Sequence, residues 1–186
     1  MRDKIAEIVA AIEPLDELER AHRASTLEWI RSGAPIFRIQ KPDIPPKHLV
    51  SYFALVDEDR GKLLLVDHKL AGLWLPSGGH VEPDEHPRAT VDRELVEELN
   101  LAADFVRPDP LFITATLTAG HGTHTDVSLW YLLRGDSTRV IEFDRGEFHS
   151  VRWFSFDEIP FERSDPHMRR FVEKLRAVTY RGGDLK

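Results

Sequence analysis

The chain has 186 residues, of which 41% are hydrophobic, so it can bury one substantial core but has little room for two full domains. Its formal net charge of −7, with no visible basic patch, argues against a nucleic acid polymer as a partner. The absence of cysteine excludes disulfides, thiolate zinc sites and cysteine nucleophiles. No apolar run is long enough to span a membrane or to form a signal core, and we expect a cytoplasmic protein without a membrane partner.

The first 45 residues have the pattern of a helical extension. Apolar residues recur at helical spacing from Ile5 to Ile12, and a second helical stretch covers about residues 15–30. Residues 32–47 are rich in proline and predict an extended connection. We therefore expect residues 1–45 to form an N-terminal helical extension and linker, and residues 46–186 to form the main domain.

The main domain alternates strand patterns with helix patterns. A strong helix is predicted from about Pro87 to Leu99, and a last helix over about residues 166–178. The predicted strands cover residues 49–56, 62–66, 111–118, 126–133 and 150–154. The acidic turn at 57–61 joins the first two strands as a hairpin. This alternation predicts an α/β sandwich with a mixed sheet.

The helix near residues 87–99 carries three carboxylates on one face. Glu94, Glu97 and Glu98 are spaced i, i+3, i+4, which places them within an arc of about 100° on what we expect to be the outer face. The opposite side is expected to anchor the helix in the core through Val91, Leu95, Val96 and Leu99. Like charges at i and i+4 repel, and Mg²⁺ or Mn²⁺ would relieve the repulsion. An acidic helix face alone is more often a solvated surface, so the flanking residues determine whether a metal site is the better interpretation.

The flanking residues form a motif of fixed spacing, Gly-x5-Glu-x7-Arg-Glu-U-x-Glu-Glu-x-Gly-U, where U is a bulky aliphatic residue. The matching positions are Gly79, Glu85, Arg93, Glu94, Leu95, Glu97, Glu98 and Leu101. This pattern resembles the Nudix box of the MutT-like hydrolases. Asn100 replaces the second glycine, and because asparagine tolerates the left-handed conformation we expect the turn to be kept. Ser77 stands where a proline usually adjoins the glycine pair.

The resemblance implies a Nudix-type α/β/α sandwich and a hydrolase that uses Mg²⁺, or Mn²⁺ as an alternative. The bond cleaved would be a diphosphate bond in a small nucleotide-like substrate, a nucleoside diphosphate linked to another group. The resemblance implies that Glu97 and Glu98 bind metal and that Glu94 is a metal ligand or the general base. A backbone carbonyl of Gly78 or Gly79 would be a further ligand.

Arg93 and Glu85 are expected to form a supporting ion pair that orients the loop and Glu94. The alternative for this pair is an ordinary surface ion pair, which contributes little by itself.

An additional carboxylate is expected from the loop before the strand at 150–154, because members of this family often take one there. We favour Glu147, as metal ligand or base, over Glu142 and Asp144. The alternative is that Glu147 is one of several solvated loop charges.

Several other residues have two interpretations. His121, His124 and Asp126 flank a glycine-rich turn, and without a recognisable zinc spacing we favour a polar loop near the substrate rim over a second metal site. His80 could contact phosphate, but an exposed loop histidine is the commoner case. Three strand aromatics are expected in the core rather than stacked on a base: Trp130, Tyr131 and Phe154.

Two other functions belong to similar folds. A non-catalytic nucleotide-sensing regulator on the same fold would need an output domain, and only the first ~45 residues are spare. An isoprenoid diphosphate isomerase of similar fold would use a catalytic cysteine, which this chain lacks.

The substrate itself is not fixed by the motif. Dinucleotides, nucleotide sugars and nucleoside triphosphates stay open, and we favour a (d)NTP or a related small nucleotide. The N-terminal helices could cover the substrate cleft or build a homodimer.

Overall fold

A computed structural model describes residues 1–41, 43–118 and 123–182, the last four by backbone alone. The α-helices of these residues are α1 (Arg2–Ala11), α2 (Glu17–Arg31), α3 (Pro87–Leu99) and α4 (Met168–Gly182). The strands are β1 (Lys47–Asp57), β2 (Lys62–His68), β3 (Leu73–Leu75), β4 (Ser77–His80), β5 (Phe112–Thr118), β6 (His124–Arg134) and β7 (Phe148–Ser155). None of the described helices has the length and apolar character needed to cross a bilayer.

The strands form one mixed sheet, as the alternating pattern predicted. Five strands follow the order β3-β2-β1-β6-β5, while β4 pairs with β1 and β7 pairs with β2. The pair β1 and β6 is parallel, and the other pairs are antiparallel. A parallel pair needs a long crossover, and the chain between β1 and β6 supplies it with α3 and four further strands.

Helices cover both faces of this sheet. Side chains alternate between the faces along β1. Leu49 and Phe53 join a core cluster that contains residues of α1 and α3. Ala54 and Val56 join a second cluster that contains residues of α4. The layers are therefore helix, sheet, helix, and the expected α/β/α sandwich is confirmed.

Helix α3 has the predicted bounds and predicted end. It ends at Asn100, which adopts a left-handed conformation at φ 51° and ψ 40°, so the asparagine keeps the turn as expected. The prediction for Val96 was wrong, because its side chain is 56% exposed. The buried arc of the helix runs from Leu99 through Val91 and Glu98 to Thr90, and Val96 lies outside it.

The N-terminal helices share the main core. Ile5, Val9 and Ile30 are buried in the same cluster as residues of β1 and α3. In α2, fully buried Glu19 forms an ion pair of 2.7 Å with Lys174 of α4. Helices α1 and α2 thus share the core with the sheet, and α2 also contacts α4. The boundary at residue 45 stays a prediction.

Candidate active site

The glycine pair of β4 allows close approach by the paired strand β1 and by Glu94 of α3. A Cβ at Gly79 would overlap the carboxylate of Glu94, which packs directly on this backbone. A Cβ at Gly78 would overlap Tyr52 and the carbonyl oxygen of Ser51 in β1. The pair therefore lets β4 fit between β1 and the carboxylates of α3.

Glu98 lies inside the site rather than on an outer face. Only 6% of the residue is exposed, and its Oε2 accepts a hydrogen bond from the Ser77 hydroxyl. Burial raises the pKa of Glu98 to about 8, the Ser77 hydrogen bond opposes this shift, and the charges of Glu94 and Glu147 add to it. The expectation of an exposed acidic face was thus wrong for Glu98, because β4 covers it.

Glu94 and Glu97 differ in their exposure. The Glu94 side chain is 15% exposed and forms an ion pair of 2.6 Å with Arg93 Nη1. Burial raises the pKa of Glu94, although the hydrogen bond from Arg93 lowers it. The Glu97 side chain is 60% exposed and lies 3.6 Å from the same Arg93 nitrogen. Of these two carboxylates, Glu94 is therefore the one held in place by its surroundings.

Arg93 and Glu85 form the expected ion pair, and the pair is bidentate. Arg93 Nε lies 3.1 Å from Glu85 Oε1, and Arg93 Nη2 lies 3.2 Å from Glu85 Oε2. Glu85 Oε2 also accepts hydrogen bonds from the Glu82 amide at 3.0 Å and the Thr90 hydroxyl at 2.8 Å. Since Arg93 also donates to Glu94, this pair restrains the Glu94 side chain.

Three carboxylates in or beside the loop that precedes β7 differ in their contacts. Glu142 accepts a hydrogen bond of 2.9 Å from the amide of Asn100. Asp144 accepts one of 2.6 Å from an amide of its own loop. Exposed Glu147 lies near enough to raise the pKa of Glu98 through its charge. These contacts leave Glu147 as the loop carboxylate whose charge acts on the site, while its role stays a prediction.

A second polar cluster lies at the end of the sheet where β1 and β6 begin. It contains His48, His80, His124 and Asp126. The expectation of an exposed loop histidine was wrong for His80, because His80 belongs to β4 and its Nε2 is buried. His121 and the glycine-rich turn lie outside the described residues.

Sequence reasoning missed His48 as part of this cluster. Strand pairing alone places it opposite Asp126, and neither residue gives a local signal of this contact. The strand aromatics are core residues as predicted: Trp130, Tyr131 and Phe154 are 0%, 1% and 4% exposed.

The fold is a mixed sheet between two helical layers. The candidate site groups acidic side chains beside a strand that carries two glycines. The profile of the NUDIX domain family matches residues 47–175. The chain therefore belongs to the Nudix hydrolase family, and the resemblance seen in the motif is confirmed.

Individual relatives agree with this assignment. A MutT-like protein of Streptomyces ambofaciens is 26% identical over 136 residues, which cover 73% of this chain and 82% of the relative. A CTP pyrophosphohydrolase of Escherichia coli strain K12 is 42% identical over 59 residues, 30% of this chain and 44% of that protein. The crystal structure of a MutT NUDIX hydrolase from Burkholderia pseudomallei is 25% identical with a TM-score of 0.57, covering 68% of this chain and 95% of that one.

The donor set of the site fits the divalent metal that this family uses. Glu98 and Glu94 are carboxylates whose charged forms are disfavoured by burial, as their raised pKa values show. A cation beside them would offset that desolvation cost, and carboxylate oxygens are the ligands that Mg²⁺ prefers. Gly79 leaves room for the Glu94 carboxylate against the strand backbone.

Proposed function

We propose that this protein hydrolyses a diphosphate bond in a small nucleotide-like substrate with the help of Mg²⁺. The observation that carries the proposal is the buried Glu98, held by Ser77 and grouped with Glu94 beside the glycine pair. A buried carboxylate with a raised pKa, close to other carboxylates, is costly for a purely structural role and is typical of a functional site.

In this proposal Glu94, Glu97, Glu98 and Glu147 hold the metal together with a backbone carbonyl of the glycine pair. Bound Mg²⁺ would neutralise charge on the diphosphate and lower the pKa of a water.

The chain's own residues orient the site and move the proton. Arg93, fixed by Glu85, holds the Glu94 carboxylate against Gly79. Glu94 or Glu147 accepts the proton of the attacking water.

For the substrate we favour a (d)NTP or a related small nucleotide. The CTP pyrophosphohydrolase of E. coli is named for a nucleoside triphosphate, and it is 42% identical to this chain over the 59 matched residues. That match spans 44% of the relative, so it supports a nucleoside triphosphate as the substrate class more than the identity of its nucleobase.

The test is a panel of nucleoside triphosphates, dinucleotides and nucleotide sugars assayed with Mg²⁺, with the products resolved. We expect cleavage of a diphosphate bond, and the product pair shows which phosphorus is attacked. Ca²⁺ should not support comparable turnover, because its looser coordination holds an attacking water less well. Nucleotide binding without any product would instead favour a regulator.

The variant test compares Glu98→Gln with Glu162→Gln. The second residue is 98% exposed and serves as the matched control. Glu98→Gln keeps the side-chain volume but removes the charge, so kcat should fall by orders of magnitude with the fold intact. Full turnover in excess chelator, or near wild-type kcat in Glu98→Gln, would contradict the proposed mechanism.

A further inference from the structure

Three potential metal ligands meet at the edge of the sheet where β1 and β6 begin and β4 ends. The register of the parallel pair places His48 opposite Asp126, and β4 pairs Val50 with His80. His48 Nε2 lies 3.0 Å from Asp126 Oδ1. One ligand atom from each of His48, His80 and Asp126 lies within 4.8 Å of the others.

The hydrogen bond of His48 points its second ring nitrogen into this cluster. Its Nδ1 lies 2.8 Å from the carbonyl oxygen of Pro45, which only accepts hydrogen bonds, so Nδ1 carries the proton. The ring is fully buried, and its Nε2 faces Asp126. Metal-binding histidines are typically oriented in this way, with one nitrogen donating to a carbonyl and the other bound to the metal.

While His48 is neutral, three buried atoms of the cluster have no hydrogen-bond partner among the described residues. They are Nε2 of His48, Nε2 of His80 and Oδ1 of Asp126. A second proton on His48 would pair its Nε2 with Asp126 Oδ1, 3.0 Å away, but would leave His80 Nε2 unsatisfied. A buried polar atom without a partner is costly, and three such atoms within a few ångströms call for one shared partner. Since two of them are imidazole nitrogens and one is a carboxylate oxygen, a cation meets all three needs.

His124 stands close enough to add a fourth ligand. Its Nε2 lies 3.4 Å from Asp126 Oδ1, and its Nδ1 lies 3.4 Å from Asp43 Oδ2. Asp43, His48 and His124 also offer ligand atoms within 4.8 Å of one another. The cluster therefore provides up to five donors from three segments of the chain.

We propose that His48, His80 and Asp126 form a second metal site, which binds a transition-metal ion of the Zn²⁺ class. Imidazole with carboxylate suits Zn²⁺ and its neighbours Co²⁺ and Ni²⁺, whereas the carboxylates of α3 suit Mg²⁺. This proposal revises the interpretation from the sequence, which favoured a polar loop over a second metal site for His124 and Asp126.

The two sites lie on opposite faces of β4 and share its backbone. Gly79 faces Glu94, and alternation along the strand turns His80 to the other face. Arg93 Nη2 donates to the carbonyl oxygen of His80 at 3.3 Å. A metal bound at His80 would therefore stiffen the backbone that supports the Arg93 and Glu94 pair.

The direct test is metal binding by the full chain after treatment with chelator. Titration with Co²⁺ reports on nitrogen ligands through visible absorption, and competition with Zn²⁺ gives the affinity. Glu98→Gln should keep this binding, because the second site does not depend on the proposed catalytic carboxylate. His80→Gln and Asp126→Asn should each weaken Co²⁺ and Zn²⁺ binding by at least about tenfold.

The control is His149→Gln, an exposed histidine in β7, which should bind as the wild type does. Circular dichroism establishes that each variant is folded, and Asp126→Asn preserves side-chain volume if His80→Gln does not fold. Absence of a nitrogen-bound Co²⁺ signal in the wild type would overturn the proposal and leave a charged His48 and Asp126 pair in its place. Unchanged affinity in folded His80→Gln or Asp126→Asn would overturn it as well.

Discussion

The Ser77 hydroxyl donates a hydrogen bond to Oε2 of Glu98 from the position where a proline usually adjoins the glycine pair of the motif. Because this bond favours the charged carboxylate, Ser77→Ala should raise the pKa of Glu98 further. A hydrogen bond to a charged group contributes about 1.5–3 kcal/mol, so we expect the Mg²⁺ concentration for half-maximal activity to rise about tenfold or more.

The measurement for Ser77→Ala is the Mg²⁺ dependence of activity at fixed pH. Ser155→Ala removes a hydroxyl that donates to exposed Glu158 at 2.7 Å, and it is the matched control. An unchanged Mg²⁺ requirement in Ser77→Ala would show that this hydrogen bond does not act on the metal site.

The stability of the metal-free protein should depend on pH through Glu98. Its pKa rises from an ordinary value of 4.5 to about 8 on folding, so between these values the folded protein holds a proton that the unfolded chain releases. This contribution to the free energy of unfolding is therefore lost as pH rises from about 4.5 to about 8. Denaturant unfolding with chelator should show this decline in wild type and a smaller one in Glu98→Gln. Parallel curves for both proteins would contradict the prediction.

The loop before β7 is tested by comparing Glu147→Gln with Glu142→Gln. The charge of Glu147 acts on Glu98, whereas Glu142 is engaged by Asn100 at the end of α3. We expect Glu147→Gln to lower kcat by about a hundredfold or more, as loss of a general base or metal ligand does, with little change in stability. Similar near wild-type rates for both variants would remove the loop from the mechanism and leave Glu94 as the base.

Gly79→Ala should displace the Glu94 carboxylate, because the added Cβ would overlap it. A shift of about 1 Å in a catalytic group can cost about a hundredfold in rate, and we expect a fall in kcat of that order. The double variant Gly79→Ala with Glu94→Gln isolates the cause. If Gly79 acts through Glu94, the double variant is no slower than Glu94→Gln alone. Additive losses would point to a different role for Gly79.

The buried pair of Glu19 and Lys174 should hold the N-terminal helices to α4. Removing one partner of a buried ion pair leaves an uncompensated charge, so Glu19→Ala should lower the free energy of unfolding by about 3–5 kcal/mol. Glu17→Ala, whose side chain is 87% exposed, should have little effect.

A chain that begins at residue 46 should not fold stably, since it lacks the apolar side chains of α1 and α2. Stable folding of that shortened chain would support an independent domain.

Local patterns were sufficient for α3 and its motif. The helix from Pro87 to Leu99 and the left-handed Asn100 follow from periodicity and capping preferences, which depend on residues a few positions apart. The ion pair between Arg93 and Glu85, eight positions apart, was expected from the resemblance to the Nudix box.

Tertiary structure decided the features that depend on residues distant in the chain. Periodicity does not show that β4 covers Glu98 and leaves Val96 exposed, because the buried arc of a helix is set by what packs against it. His48 and Asp126 are 78 positions apart and meet only through the register of two parallel strands. A strand pattern specifies which side chains share a face, but pairing between strands is a long-range contact that composition and spacing do not encode.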